Sequence, residues 1–240
     1  MLTFENVLDD SLLLFLENWT AFAAWIHNET GGGSDQVKVD YQMRQITFLP
    51  KLVKRNEVVV PLHLAATVDA ENAQWAWANP ENEGKPLAML STRVRDFGQQ
   101  QQIAALAEPS HLVPDTGELK VSGHALALAA AACRITGMPV AHLLPQGDAQ
   151  VVLLLDPAGF FLPAPSQEAF RQLVGNARAT GLVQDGRRAV QGYAQARGLG
   201  YRWGEGFTHI DLMFPDGELR VEFDDNGQAT LSNAGAAEQI

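Results

Sequence analysis

Leu12, Phe15, Leu16, Trp19, Phe22, Ala23 and Ile26 recur at the i, i+3, i+4, i+7 spacing of one helical face. The spacing predicts an amphipathic helix from about Val7 to His27, with Asp9, Asp10 or Ser11 near its start and Gly31-Gly32-Gly33-Ser34 as the loop that ends it. The period then shortens to two. Gln36 to Tyr41, Gln45 to Leu49 and Glu57 to Val68 read as strands, and in the last Leu62, Leu64, Ala66 and Val68 alternate with His63, Ala65 and Thr67. Pro61 has no N–H to give a ladder, which predicts a bulge or an edge at that point. Asp69 to Asn72 is a polar turn into Gln74-Trp75-Ala76-Trp77-Ala78-Asn79-Pro80. If the strand continues through this tract, Trp75, Trp77 and Asn79 share one face as an aromatic and polar stripe. The whole unit reads as an antiparallel meander ending at Asn79-Pro80.

Helical periodicity returns at Leu87, Leu90, Val94 and Phe97, opened by Pro86, and the glutamines from Gln99 to Gln102 extend it. An alanine-rich helix is predicted from about Glu118 to Thr136, closed by Gly137. Val140 to Leu144 and Gln150 to Asp156 form a hairpin pattern across Pro145-Gln146-Gly147-Asp148. Prolines at 157, 163 and 165 interrupt regular structure and mark a boundary. Two helices follow, carried by Phe170, Leu173, Val174 and Ala177, and by Ala189, Val190, Tyr193 and Ala194. A last meander takes Phe207 to Phe214, Leu219 to Phe223 and Gln228 to Leu231, with Asp216-Gly217 and Asn226-Gly227 as expected type I′ turns.

The fold class expected is therefore α+β, with helices packed on antiparallel β-meanders in two units. The boundaries fall at 1–158, which holds the tryptophan tract, and at 165–240, a smaller helix-helix-meander unit.

Composition changes the functional picture mainly by exclusion. Seventeen Lys and Arg against 28 Asp and Glu leave a net charge of −11. The densest basic run is Lys51, Lys54 and Arg55, too sparse to neutralise phosphates, so nucleic acid and anionic membranes are poor partners. Cys133 is the single cysteine and sits in an alanine run, where it reads as a small core residue rather than a reactive thiol. An internal disulfide and a cysteine-built zinc site are both excluded. Leu12 to Leu16 is hemmed by Asp9, Asp10 and Glu17, so it is neither signal peptide nor membrane span, and a cytoplasmic location is expected.

Motif chemistry is sparse. Glu222, Asp224, Asp225, Asn226 and Gly227 resemble part of a calcium loop, yet strands flank them and hairpin turn chemistry explains the same residues. The six histidines (His27, His63, His111, His124, His142 and His209) are scattered singly, and none has the helical spacing of a hydrolytic metal motif. The glycines at 198, 200, 204 and 206 lack the strand-then-helix setting of a dinucleotide fingerprint, and Gly31 to Gly33 lack the Gly-Lys-Ser/Thr of a phosphate loop. They are expected to end a helix and bend the first strand of the last meander. Asp211 and Glu222 could oppose each other across strands, the one hint of paired-carboxylate chemistry. No metal and no cofactor is expected.

The stretch from Leu64 through Trp75-x-Trp77-Ala78-Asn79 resembles a bacterial family of unknown function marked by a W-x-W-A-N tract, then a helix, an alanine-rich helix and a final hairpin. The resemblance covers about residues 1–158 and does not extend beyond Pro165. It implies an α+β domain and supplies no catalytic residue. Trp75 and Trp77 read foremost as a buried core stripe. If the stripe instead lines a groove, Trp75, Trp77 and Asn79 are its ligand-binding residues.

The function expected is that of a non-enzymatic interaction or ligand-binding protein, with a protein partner or homodimer possible. The alternative is a hydrolase-like enzyme whose Asp, Glu and His residues come together only on folding.

Overall fold

Thr3 sets the start of the first helix, α1 (Phe4–Thr30), in the computed structural model, which describes residues 1–32, 36–52, 55–113 and 120–231. Its hydroxyl accepts the Asn6 N–H while the Asn6 side chain accepts the Thr3 N–H, a reciprocal capping box. The cap therefore lies several residues before Asp9, Asp10 and Ser11. Asp9 and Ser11 are instead buried inside the helix, where the Ser11 hydroxyl donates to the Val7 and Leu8 carbonyls. Gly31 closes the helix in the left-handed region, at φ 69°. Of the positions used in the sequence reading, Gly33, Ser34, Lys54 and Glu118 lie outside the described residues.

Seven strands make the larger sheet. β1 (Val37–Asp40), β2 (Gln45–Phe48), β3 (Val58–Val68), β4 (Asn72–Trp75) and β5 (Ser110–Leu112) follow one another in order, all antiparallel. The hairpin β6 (Val140–Gln146) and β7 (Ala149–Leu155) joins through β7, which pairs with the second part of β3. Pro61 is neither bulged nor at an edge. It sits where β3 passes from β2 to β7, and its carbonyl accepts the Asp156 N–H. The bulge falls between Leu64 and Ala66 instead, leaving Ala65 outside the ladder.

β7 is buried on both faces, which accounts for its unbroken apolar run. Val152 and Leu154 belong to one core with α4 (Lys120–Thr136), and Val151, Leu153 and Leu155 to a second under Phe22, Ile26 and Phe48. Cys133 is buried on α4, and burial pushes its thiol far above the ordinary value.

The remaining chain forms α5 (Gln167–Thr180), α6 (Gly186–Ala196) and a four-stranded antiparallel sheet of β8 (Gly200–Trp203), β9 (His209–Phe214), β10 (Gly217–Phe223) and β11 (Ala229–Leu231). β5 and β8 were not foreseen; each is three or four residues long, too short to show a period. Neither expected type I′ turn is present. Gly217 already pairs with Phe214, so Pro215-Asp216 is the loop, and only the glycines of the two dipeptides have positive φ. The Asp224 carboxylate accepts the Asn226 and Gln228 N–H groups, which holds the second turn.

α1 packs against α4 and against α5 and α6. Leu12 and Leu13 share one continuous core with Phe170 and Tyr193 of α5 and α6, as well as with Leu128 of α4. At the α1–α6 contact Glu17 pairs with Arg197 at 3.1 Å and accepts the Tyr193 hydroxyl, all three largely out of solvent.

Candidate functional site

The tryptophan tract does not continue as a strand. β4 ends at Trp75, and Ala76–Ala78 turn as a 3-10 helix, so the three residues share no face. Trp75 is fully buried, and its indole N–H donates to the Ala105 carbonyl in α3 (Ala104–Ala107) at 2.9 Å. Trp77 is only partly buried and turns to the wall of a cleft of about 700 Å³. Asn79 builds the rim: its side chain accepts the Glu81 N–H and starts a second 3-10 turn, Pro80–Asn82. Asn82 in turn donates to the Ala76 carbonyl across the base of the rim.

Trp77 is tied to the central strand through one hydroxyl. Ala65, set outside the ladder by the bulge, offers a carbonyl that accepts the Ser91 hydroxyl at 2.9 Å. Ser91 is fully buried in α2 (Met89–Gln101), and its oxygen accepts the Trp77 N–H at 3.2 Å. Strand irregularity, helix and cleft wall are thereby one hydrogen-bonded unit.

The cleft is also lined by α2 and the segment before it, through Lys85, Met89, Thr92, Arg93 and Arg95, and by Glu83 and Pro109. The Arg95 guanidinium lies over the Trp77 ring, 5.4 Å from its centroid, and also pairs with Asp96. With Arg95 paired to Asp96, Lys85 and Arg93 remain as lining cations against the single lining carboxylate Glu83, on a chain of net charge −11. The Trp77 indole N–H is buried and has no hydrogen-bond partner among the described residues.

Several other polar groups are already engaged. The His63 Nδ1–H donates to the Pro86 carbonyl at 3.3 Å, and burial holds its pKa below the ordinary value. Asp211 lies opposite Arg220, not Glu222, which faces His209. Arg220 and Arg202 both donate to Asp211 and hold its carboxyl at about 2, so it is a fixed anion locked between cations. His111 and His124, far apart in the sequence reading, meet with their Nε2 atoms 2.8 Å apart. Among the described residues, no three His, Cys, Asp or Glu side chains gather as a metal would require for a protein-only cage, and no helix is long and apolar enough to cross a membrane.

Residues 5–158 match the family of unknown function DUF6882. The chain belongs to that family. The match takes in α1, the seven-stranded sheet and the Trp77 cleft, and stops before α5. No curated protein and no solved structure matches the chain.

Sequence reasoning missed the cleft's cations because Arg93 and Arg95 sit two apart on a helix with ordinary charge content. The signal that existed was the proline at 80, which opens the Pro80–Asn82 turn, and the glycine at 84, which takes positive φ between that turn and α2.

Proposed function

We propose that this protein binds small anions carrying a planar ring, in the cleft walled by Trp77, and that it acts by binding and not by catalysis. The observation that carries the reading is the pairing of an aromatic wall with Lys85, Arg93 and Arg95 on an otherwise acidic protein. An aromatic face takes a flat ring by stacking, and guanidinium groups take carboxylate or phosphate oxygens by charge-assisted hydrogen bonds. A cleft of about 700 Å³ is of the size that encloses a small organic molecule. Trp77 contributes directly; Asn79 contributes by capping the Pro80–Asn82 turn of the rim, and Trp75 by holding the tract in place. The acidic exterior would repel such ligands everywhere else, so the cationic cleft also confers selectivity of location.

The test is calorimetric titration with 2-naphthoate and with AMP, each against a neutral counterpart, 2-naphthamide and adenosine. Both anions are expected to bind more tightly than their neutral partners, and Trp77→Ala and Arg93→Gln should each weaken them at least tenfold. Equal affinity in the variants, or no binding by either anion, overturns the reading.

A further inference from the structure

We propose that His111 and His124 form an open binding site for a borderline divalent metal ion such as Zn2+, with the remaining coordination positions facing a neighbouring cavity. His111 stands on the edge strand β5 and His124 near the start of α4. Their Nε2 atoms lie 2.8 Å apart, with ring centroids 5.0 Å apart and planes inclined by 67°. Two imidazole nitrogens aimed at one point can share a single proton or a single cation.

Burial favours the uncharged form of both rings. It lowers the pKa of both rings, that of His124 to about 4, helped by the neighbouring His111. Both are neutral at pH 7, the form that ligates metals, so no proton has to be expelled from a charged ring. Tetrahedral coordination at about 2.0–2.1 Å per Zn–N bond needs the two nitrogens roughly half an ångström further apart than they stand. Binding therefore requires the two rings to part by that much. Beside the pair opens a cavity of about 520 Å³, lined in part by Phe4, Leu8, Leu112, Thr180 and Leu182. It gives room for water or an exogenous ligand to complete the shell, as in metal sites that keep open positions.

The affinity is set by two opposing features. Two convergent neutral imidazoles favour binding. Against it, ligation through Nε2 places the His111 proton on Nδ1, which is buried without a partner among the described residues. Loss of such an outer hydrogen bond typically weakens metal binding about 10–100-fold.

Calorimetric titration of the full chain with ZnCl2, with MgCl2 as the control, tests this. One Zn2+ per chain and no Mg2+ are expected, with at least a tenfold loss in His111→Asn and in His124→Gln and none in the exposed His27→Gln. Imidazole 15N spectra of the unsubstituted protein give an answer independent of variant folding: Zn2+ should shift both Nε2 resonances. No Zn2+ binding, binding unchanged in His111→Asn, or Nε2 resonances that do not move overturns the proposal.

Discussion

The Ser91 hydroxyl donates to the Ala65 carbonyl at 2.9 Å, at the one residue that the bulge removes from the β3 ladder. The same oxygen accepts the Trp77 N–H, so a defect in the sheet positions the aromatic wall of the cleft. A buried carbonyl without a donor costs about 1–3 kcal/mol, and here two backbone groups depend on one side chain.

Ser91→Ala is accordingly expected to destabilise the protein by about 2–3 kcal/mol in urea denaturation, more than an exposed Ser→Ala change. It should also loosen the cleft, seen as weaker 2-naphthoate binding with Arg93 and Trp77 intact. A loss of stability under about 0.5 kcal/mol would show that the hydroxyl does not hold the bulge.

Asp9 joins α1 to the loop before α6, accepting the Gln184 and Asp185 N–H groups at 2.9 and 3.0 Å. Burial pushes its pKa up to about 6 against those hydrogen bonds, which act in the opposite direction. The folded value lies above the ordinary 3.8, so Asp9 contributes stability that is fully present below about pH 3.8 and is lost as the pH rises through about 6. Between pH 7 and pH 5, the stability of the protein relative to Asp9→Asn should therefore rise as the pH falls. Urea midpoints of both proteins at pH 7, 6 and 5 measure it; a constant difference contradicts a raised Asp9.

The α+β class and most elements were legible because their periods are long. α1 gives seven turns of one apolar face, and β3 gives eleven residues of near-alternation. The tryptophan tract misled because Trp75 and Trp77 are spaced as on a strand, while Asn79-Pro80 and the Asn82 side chain fold the chain into 3-10 turns. Local side-chain hydrogen bonds there override β-propensity. The His111–His124 contact and the Asp9–Gln184 bond were illegible for another reason. They join residues that only the packed fold brings together, and no spacing encodes them.

The two tryptophans should separate cleanly in experiment. Trp75→Ala removes a fully buried ring and leaves the Ala105 carbonyl unpaired, at a cost of about 3–5 kcal/mol. Trp77→Ala removes a partly buried ring and its contact with Arg95, at a cost of about 1 kcal/mol. Chemical denaturation ranks the two, and acrylamide quenching of proteins retaining one or the other tryptophan should find Trp77 the more accessible. The reverse order would return the tract to the continuous-strand arrangement.

Glycines on the two C-terminal helices test how α6 meets α1. A Cβ at Gly192 would stand 2.9 Å from the Asp10 Cα and 3.0 Å from its carbonyl oxygen, both backbone atoms that yield only if a helix moves. A Cβ at Gly175 on α5 meets nothing within 4 Å. Alanine gains up to about 1 kcal/mol over glycine in a helix, so Gly175→Ala should raise the melting temperature. At Gly192 that gain is outweighed by a steric cost of about 1–3 kcal/mol, and Gly192→Ala should lower it. The penalty falls on the contact between the family-matched segment, which contains α1, and the segment beyond it, which contains α6. Gly192→Ala should therefore also raise protease cleavage between residues 156 and 166, where no helix or strand shields the chain, while Gly175→Ala leaves it unchanged. A Gly192→Ala protein as stable and as resistant as the unsubstituted one would mean that α1 and α6 do not approach this closely.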